Sequence, residues 1–147
     1  MANLEKELID MLNQALRLEH AARIQYLTHA EMLKGENAEA LIERLKEIAS
    51  DEEKHEGKFR SLIGNYLNGE PVMDLAETHR AADLKNILEI NLKGEKDAID
   101  YYKKIYQKVT ENKSALQYVF ETLEHEIRHV IVDEQEHVSE LSLLMGK

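Results

Sequence analysis

The single proline of this chain, Pro71, falls in a long polar stretch, residues 68–82, that lacks helical periodicity and splits the sequence into two halves. With one proline and six glycines in the chain, long uninterrupted helices are possible. Asn3 is expected to cap a helix from Leu4 to Lys34, with Gly35 as its stop. Asn37 is expected to open a second that fades near Leu67. Asp83 should open a third lasting to Thr110, and the Ser114–Gln117 spacing suggests a capping box for a fourth that ends before Gly146. Segments of roughly 28–31 residues make helices about 40–47 Å long. The first and third connections are short, so they should join antiparallel hairpins. The middle one could span about 50 Å when extended, which reaches from one end of a bundle to the other. Helices two and three should then run parallel. The expected fold is all-α: a four-helix bundle with one long crossover, in a single domain over residues 1–147.

Helical phase, at about 100° per residue, decides which polar side chains face the core. In the fourth helix Leu116, Leu123, Ile127, Val138 and Leu141 all fall within about 40° of Glu134, and His137 lies about 60° to one side. In the second helix Glu52 sits among Leu41, Leu45, Ile48, Phe59 and Ile63, with His55 displaced the same way. Helices one and three carry one such acid each, Glu19 and Glu95, each followed seven residues later by a tyrosine, Tyr26 or Tyr102. The chain thus repeats a pattern: Glu, Tyr at +7, then Glu-x-x-His on the next helix. A third Glu-x-x-His, Glu126 to His129, points to the edge and surface and is read as a decoy. Glu53 should be solvated.

Four inward carboxylates cannot stay ionised together without compensation, because desolvation costs each several kcal/mol and repulsion adds to it. Arg23 is the one basic residue near the right phase. Two divalent cations would balance four negative charges, with two neutral imidazoles completing their shells. Carboxylate and imidazole donors suit iron or manganese and can also take zinc. The chain has no cysteine, which excludes thiolate sites and a cysteine nucleophile. A net charge of −10 argues against nucleic acid as a partner. With no signal peptide and no apolar run long enough to span a bilayer, no membrane partner and a cytoplasmic location are expected.

The sequence resembles the bacterioferritins, within the larger group of ferritin-like di-iron carboxylate proteins. The resemblance runs through nearly the whole chain and is strongest in "LEHAARIQYLTHAEML" (18–33), "ASDEEKH" (49–55) and "VDEQEHVSEL" (132–141). It implies that Glu19, Glu52, His55, Glu95, Glu134 and His137 ligate two iron ions per subunit. Glu52 and Glu134 would bridge, and Tyr26 would stand beside the metals. It further implies oxidation of ferrous iron by oxygen or hydrogen peroxide, for detoxification and, in a closed shell, storage. A homo-oligomer, dimer or larger, is expected. Some features depart from that family. Glu53 stands where the haem-bearing methionine would be, so no haem is expected. The ten residues after His137 leave no short fifth helix, which bears on shell formation. Glu19 to Glu52 spans 33 residues and Glu95 to Glu134 spans 39, so the second hairpin is longer. Ala98 replaces the extra helix-three glutamate usual in rubrerythrin-like peroxidases.

Other functions compatible with the same residues are a rubrerythrin-like peroxidase, a di-metal oxygenase with an apolar pocket beside the metals, and a non-enzymatic bundle holding zinc or nothing. Tyr101, Tyr102 and Tyr106 read as core residues. Glu47 and Asp51 read as a solvated helix face that could instead guide iron inward. His20, His29, His79, His125 and His129 have no partner in phase and read as surface or edge residues.

Overall fold

The computed structural model describes residues 2–147. Its four helices are α1 (Ala2–Glu31), α2 (Ala38–Ser61), α3 (Leu84–Glu111) and α4 (Phe120–Leu144), and the described residues include no strand. A π-helical turn, Leu62–Tyr66, prolongs α2, so the second helical run fades where the sequence indicated.

The packing of the core settles the topology. One apolar cluster joins Leu8, Leu12 and Leu16 of α1 to Phe59 of α2, Tyr102, Ile105 and Val109 of α3, and Leu123 and Ile127 of α4. The opposite cluster joins Tyr26 and Ala30 to Leu45 and Ile48, to Ile87, Leu88 and Leu92, and to Leu141. Each cluster therefore combines the start of α1 with the end of α2, or the reverse, which makes that pair antiparallel. The same holds for α3 and α4. The ends of α2 and α3 share a cluster, so those helices run parallel, as the long crossover requires. The fold is the expected all-α bundle with one crossover. Between the two apolar clusters lies a polar layer containing the inward acids.

The crossover is a strap laid along α1. Asn13 donates to the carbonyl of Glu70 (3.1 Å) and accepts from the amide of Val72 (2.9 Å). Further on, the amide of Ala76 donates to the Arg17 carbonyl (3.0 Å) and the Arg17 guanidinium donates to Asp74 (2.8 Å). His20 Nδ1 donates to the Asp74 carbonyl at 2.7 Å. Near the far end, the His79 amide donates to Gln25, and His29 Nε2 donates to the His79 carbonyl. His29 Nδ1 then accepts from Asn91 of α3, and burial pushes this imidazole below its ordinary pKa. His20 and His29 are thus buried beneath the strap rather than at the surface, because extended backbone carbonyls give them partners that helical phase cannot reveal. Replacing Asn13 by Ala removes two hydrogen bonds between α1 and the strap. The expected cost is about 2 kcal/mol, a fall in Tm of roughly 4–8 °C for a chain of this length in a thermal melt.

Helix ends follow the sequence unevenly. Asp83 caps α3 as expected, its Oδ1 accepting from the Asn86 amide at 2.9 Å, while Asn86 Oδ1 accepts in return from the Ala82 amide. Asn3 lies inside α1, which already begins at Ala2, and α1 ends at Glu31, three residues early. Gly35 adopts φ +97°, the left-handed conformation expected of a glycine stop. Asn37 precedes α2 in the left-handed region (φ 64°) and makes no side-chain cap. The Ser114 capping box does not form. Residues 112–119 are successive turns in which the Leu116 amide bonds to the Asn112 carbonyl, and α4 begins at Phe120. This winding buries Leu116 in the core, a gain larger than one cap supplies.

Candidate metal centre

Glu19 of α1, Glu52 and His55 of α2, Glu95 of α3, and Glu134 and His137 of α4 meet in the polar layer, all at most 3 % exposed. A spacing of three residues keeps each Glu and its His on one helical face. His55 Nδ1 lies 3.5 Å from Glu19, 3.2 Å from Glu52 and 3.3 Å from Glu134. His137 Nδ1 lies 3.5 Å from Glu52, 3.5 Å from Glu95 and 3.1 Å from Glu134. The two halves are therefore related by an approximate two-fold, with Glu52 and Glu134 common to both. Two four-residue groups result, Glu19–Glu52–His55–Glu134 and Glu52–Glu95–Glu134–His137, each offering donor atoms within 4.8 Å of one another.

The outward atoms of the two imidazoles and of Glu19 and Glu95 are engaged. His55 Nε2 donates to Asp133 (2.9 Å) and His137 Nε2 donates to Asp51 (3.0 Å), so each imidazole is steadied by the aspartate of the facing helix. Tyr26 OH donates to Glu95 (2.7 Å) and Tyr102 OH to Glu19 (2.7 Å), again crossing between halves. The inward sides are not engaged. Among the described residues, the buried side-chain atoms without a hydrogen-bond partner are Glu19 Oε2, Glu52 Oε1, His55 Nδ1, Glu95 Oε2, Glu134 Oε1 and His137 Nδ1. Each of the six residues contributes one. Orphaned buried polar atoms are costly, and six facing one space fit a bound cation. The donor set, four carboxylates and two imidazoles, fits two divalent ions of the iron or manganese type, or zinc.

Without a cation the cluster must hold protons. Burial, reinforced by the charge of Glu134, pushes Glu19 up to about 7 and Glu95 up to about 8. Burial and the charges of Glu134, Glu19 and Glu95 raise Glu52 well above the carboxylate range. Glu134 moves the other way. Burial opposes its ionisation, but the neighbouring His137 and His55 outweigh that and hold it below its ordinary value. Burial likewise opposes charge on both imidazoles. The adjacent carboxylates, Glu134 and Glu19 for His55 and Glu134 and Glu95 for His137, raise them to about 11 and about 12. Burial first, then the same acids, keeps Tyr26 and Tyr102 as O–H donors.

Several residues behave differently from the sequence-based expectation. Arg23 does not compensate the four acids; it pairs with Glu56, which also takes Arg60 (2.9 Å) and is 1 % exposed. Glu56 was not foreseen, because a helix face directed at a neighbouring helix looks solvated in phase alone. Asp51 is more than a solvated face, although Glu47 is exposed and pairs only with Arg44 at 3.8 Å. The aspartates could have been noticed, since each stands immediately before its Glu-x-x-His. Tyr102 is buried as expected of a core residue, yet its hydroxyl reaches the acid layer. Glu126 and His129 lie at the edge and surface as phase indicates, with His129 exposed, and Glu53 is exposed too.

The family described as ferritin-like domain matches residues 9–147. A ferritin-like, diiron-carboxylate protein from Bacillus anthracis superposes with a TM-score of 0.89 at 27 % identity, covering 98 % of this chain and 99 % of that one. A dodecameric thioferritin from Bacteroides fragilis, described as bacterioferritin-related, gives 0.82 at 26 % identity, covering 97 % and 86 %. The bacterioferritin of Desulfovibrio desulfuricans gives 0.84 at 22 % identity, covering 97 % and 80 %, a likeness of fold. Among curated proteins none matches. No described helix is long and apolar enough to cross a membrane. The chain belongs to the ferritin-like domain family and is bacterioferritin-like in its fold.

Proposed function

We propose that this chain is a ferroxidase-type oxidoreductase that takes two ferrous ions per subunit as substrate at the Glu19–Glu52–His55–Glu95–Glu134–His137 cage. The observation that carries the reading is the set of six unpartnered donor atoms facing one buried space. Two ferrous ions give up one electron each, and oxygen takes both with two protons to become hydrogen peroxide; hydrogen peroxide as oxidant becomes two waters. Glu52 and Glu134 would be shared between the ions. Glu19 with His55, and Glu95 with His137, would complete one position each. Tyr26 and Tyr102 hold Glu95 and Glu19 in place and keep their own protons. The apolar clusters keep bulk water from the two ends of the layer, which strengthens the charge interactions there.

Asp51 and Asp133 act as positioning residues, fixing the imidazoles so that Nδ1 faces the cage. Asp133→Ala and Asp51→Ala should each weaken metal binding roughly 10- to 100-fold with an unchanged fold, read by titration with Zn²⁺ and by circular dichroism.

Stopped-flow absorbance on adding ferrous iron to metal-free protein in air tests the activity. Two equivalents per chain should oxidise well ahead of buffer, and a trace no faster than buffer overturns the reading. A second reading has one observation in its favour. A cleft of about 580 Å³ between α1 and α3 opens onto Glu19 and Glu95 past Ala22, Gly94 and Ala98, larger than iron or oxygen needs. An oxygenase acting on an organic molecule would use that space, and would show oxygen uptake that depends on an added substrate. The bundle would work as a homo-oligomer, dimer or larger, which light scattering measures.

A further inference from the structure

We propose that His125 and His129 form a second, surface site for one divalent first-row metal ion, separate from the buried cage. The two residues stand one turn apart on α4 and both are exposed. Their rings lie side by side, with centroids 4.1 Å apart and planes inclined by 41°. Four residues is the helical spacing that lets two imidazoles hold one ion, at metal–nitrogen distances of about 2.0–2.1 Å.

The surroundings favour that use. His125 Nδ1 lies 3.6 Å from Glu126 Oε1, and the other oxygen of Glu126 lies 3.3 Å from Lys58 Nζ. Glu126 stands on the Nδ1 side of His125, so the opposite ring nitrogen, Nε2, is the one open to a metal. Glu121, also exposed, stands one turn before His125 on the same ridge. The chain's net charge of −10 draws cations toward the surface. Imidazole donors without thiolate select zinc, copper, nickel or iron over magnesium or calcium. With water completing the shell, the ion binds more weakly than in the cage and exchanges freely. One turn beyond His129 comes Asp133, whose carboxylate accepts from His55. The ridge Glu121, His125, His129, Asp133 therefore leads from open surface to a side chain bonded to the cage.

Calorimetric titration of metal-free protein with Zn²⁺ tests the site, comparing the parent with His125→Ala and His129→Ala, whose exposed positions spare the fold. The parent should bind one more equivalent than either variant, weaker than any bound in the cage, and Glu52→Gln should retain that equivalent. In nuclear magnetic resonance, with the cage first filled by Zn²⁺, trace Cu²⁺ should broaden amide signals of residues 121–129 in the parent and leave them sharp in the variants. Because the readout is a difference of one equivalent, it stands even if the cage takes no metal. Equal stoichiometry and affinity in parent and variants overturn the proposal.

Discussion

Glu52→Gln should give a protein that, without metal, melts at or above its parent near pH 8 and gains little stability from metal. Burial and the charges of Glu134, Glu19 and Glu95 favour the neutral form of the Glu52 carboxyl in the metal-free chain. Glutamine copies the shape of that neutral carboxyl, so little is lost, and the residual repulsion with Glu134 disappears. The same change removes a donor atom common to both halves of the cage. In the parent, Zn²⁺ at about 100 times its Kd should add about 2.7 kcal/mol per site. Two sites amount to about 5 kcal/mol, or roughly 10–20 °C in Tm at this chain length. Thermal melts with and without Zn²⁺ check this. A Glu52→Gln protein with the parent's full metal response would mean that Glu52 is not a shared ligand.

The second large effect is a dependence on pH that metal abolishes. Glu19 and Glu95 have folded values of about 7 and about 8, above the ordinary 4.5. The folded state binds more protons than the unfolded one over that interval, so the associated stability is complete below pH 4.5 and is lost as pH rises to 8. His55 and His137 act in the same direction. Their values of about 11 and about 12 lie above 6.5, so their contribution is complete below 6.5 and is lost at strongly alkaline pH. Metal-free protein should therefore lose several kcal/mol of stability between pH 5 and pH 8, each pKa unit being about 1.4 kcal/mol. Metal replaces those protons, so the gain in Tm on adding Zn²⁺ should be larger at pH 8 than at pH 5. An equal gain at both would show that ion binding releases no protons from the cage.

Much of this arrangement was legible because helical phase reports direction. Glu19, Glu52, Glu95 and Glu134 stand out as acids at the centre of apolar stripes, and the length of residues 68–82 fixes which helices are parallel. Phase does not report what lies opposite. Tyr26 shares a stripe with Glu19 but reaches Glu95, and Tyr102 shares one with Glu95 but reaches Glu19. Likewise Asp51 lies outside the core stripe, yet the α2–α4 seam brings it to His137. Glu56 and Arg23 find each other across the α1–α2 seam, and His20 and His29 are covered by a strap of extended backbone with no periodicity to read. The start of α4 was misplaced for a similar reason. A local capping pattern at Ser114 competes with the burial of Leu116, and tertiary packing wins.

Anomalous diffraction from crystals soaked in Mn²⁺ or anaerobic Fe²⁺, recorded at the metal's absorption edge, examines the cage directly. Two strong peaks are expected, both touching Glu52 and Glu134, one beside Glu19 and His55 and the other beside Glu95 and His137. Peaks only at the surface, or none between those six side chains, would contradict the assignment of a two-metal centre.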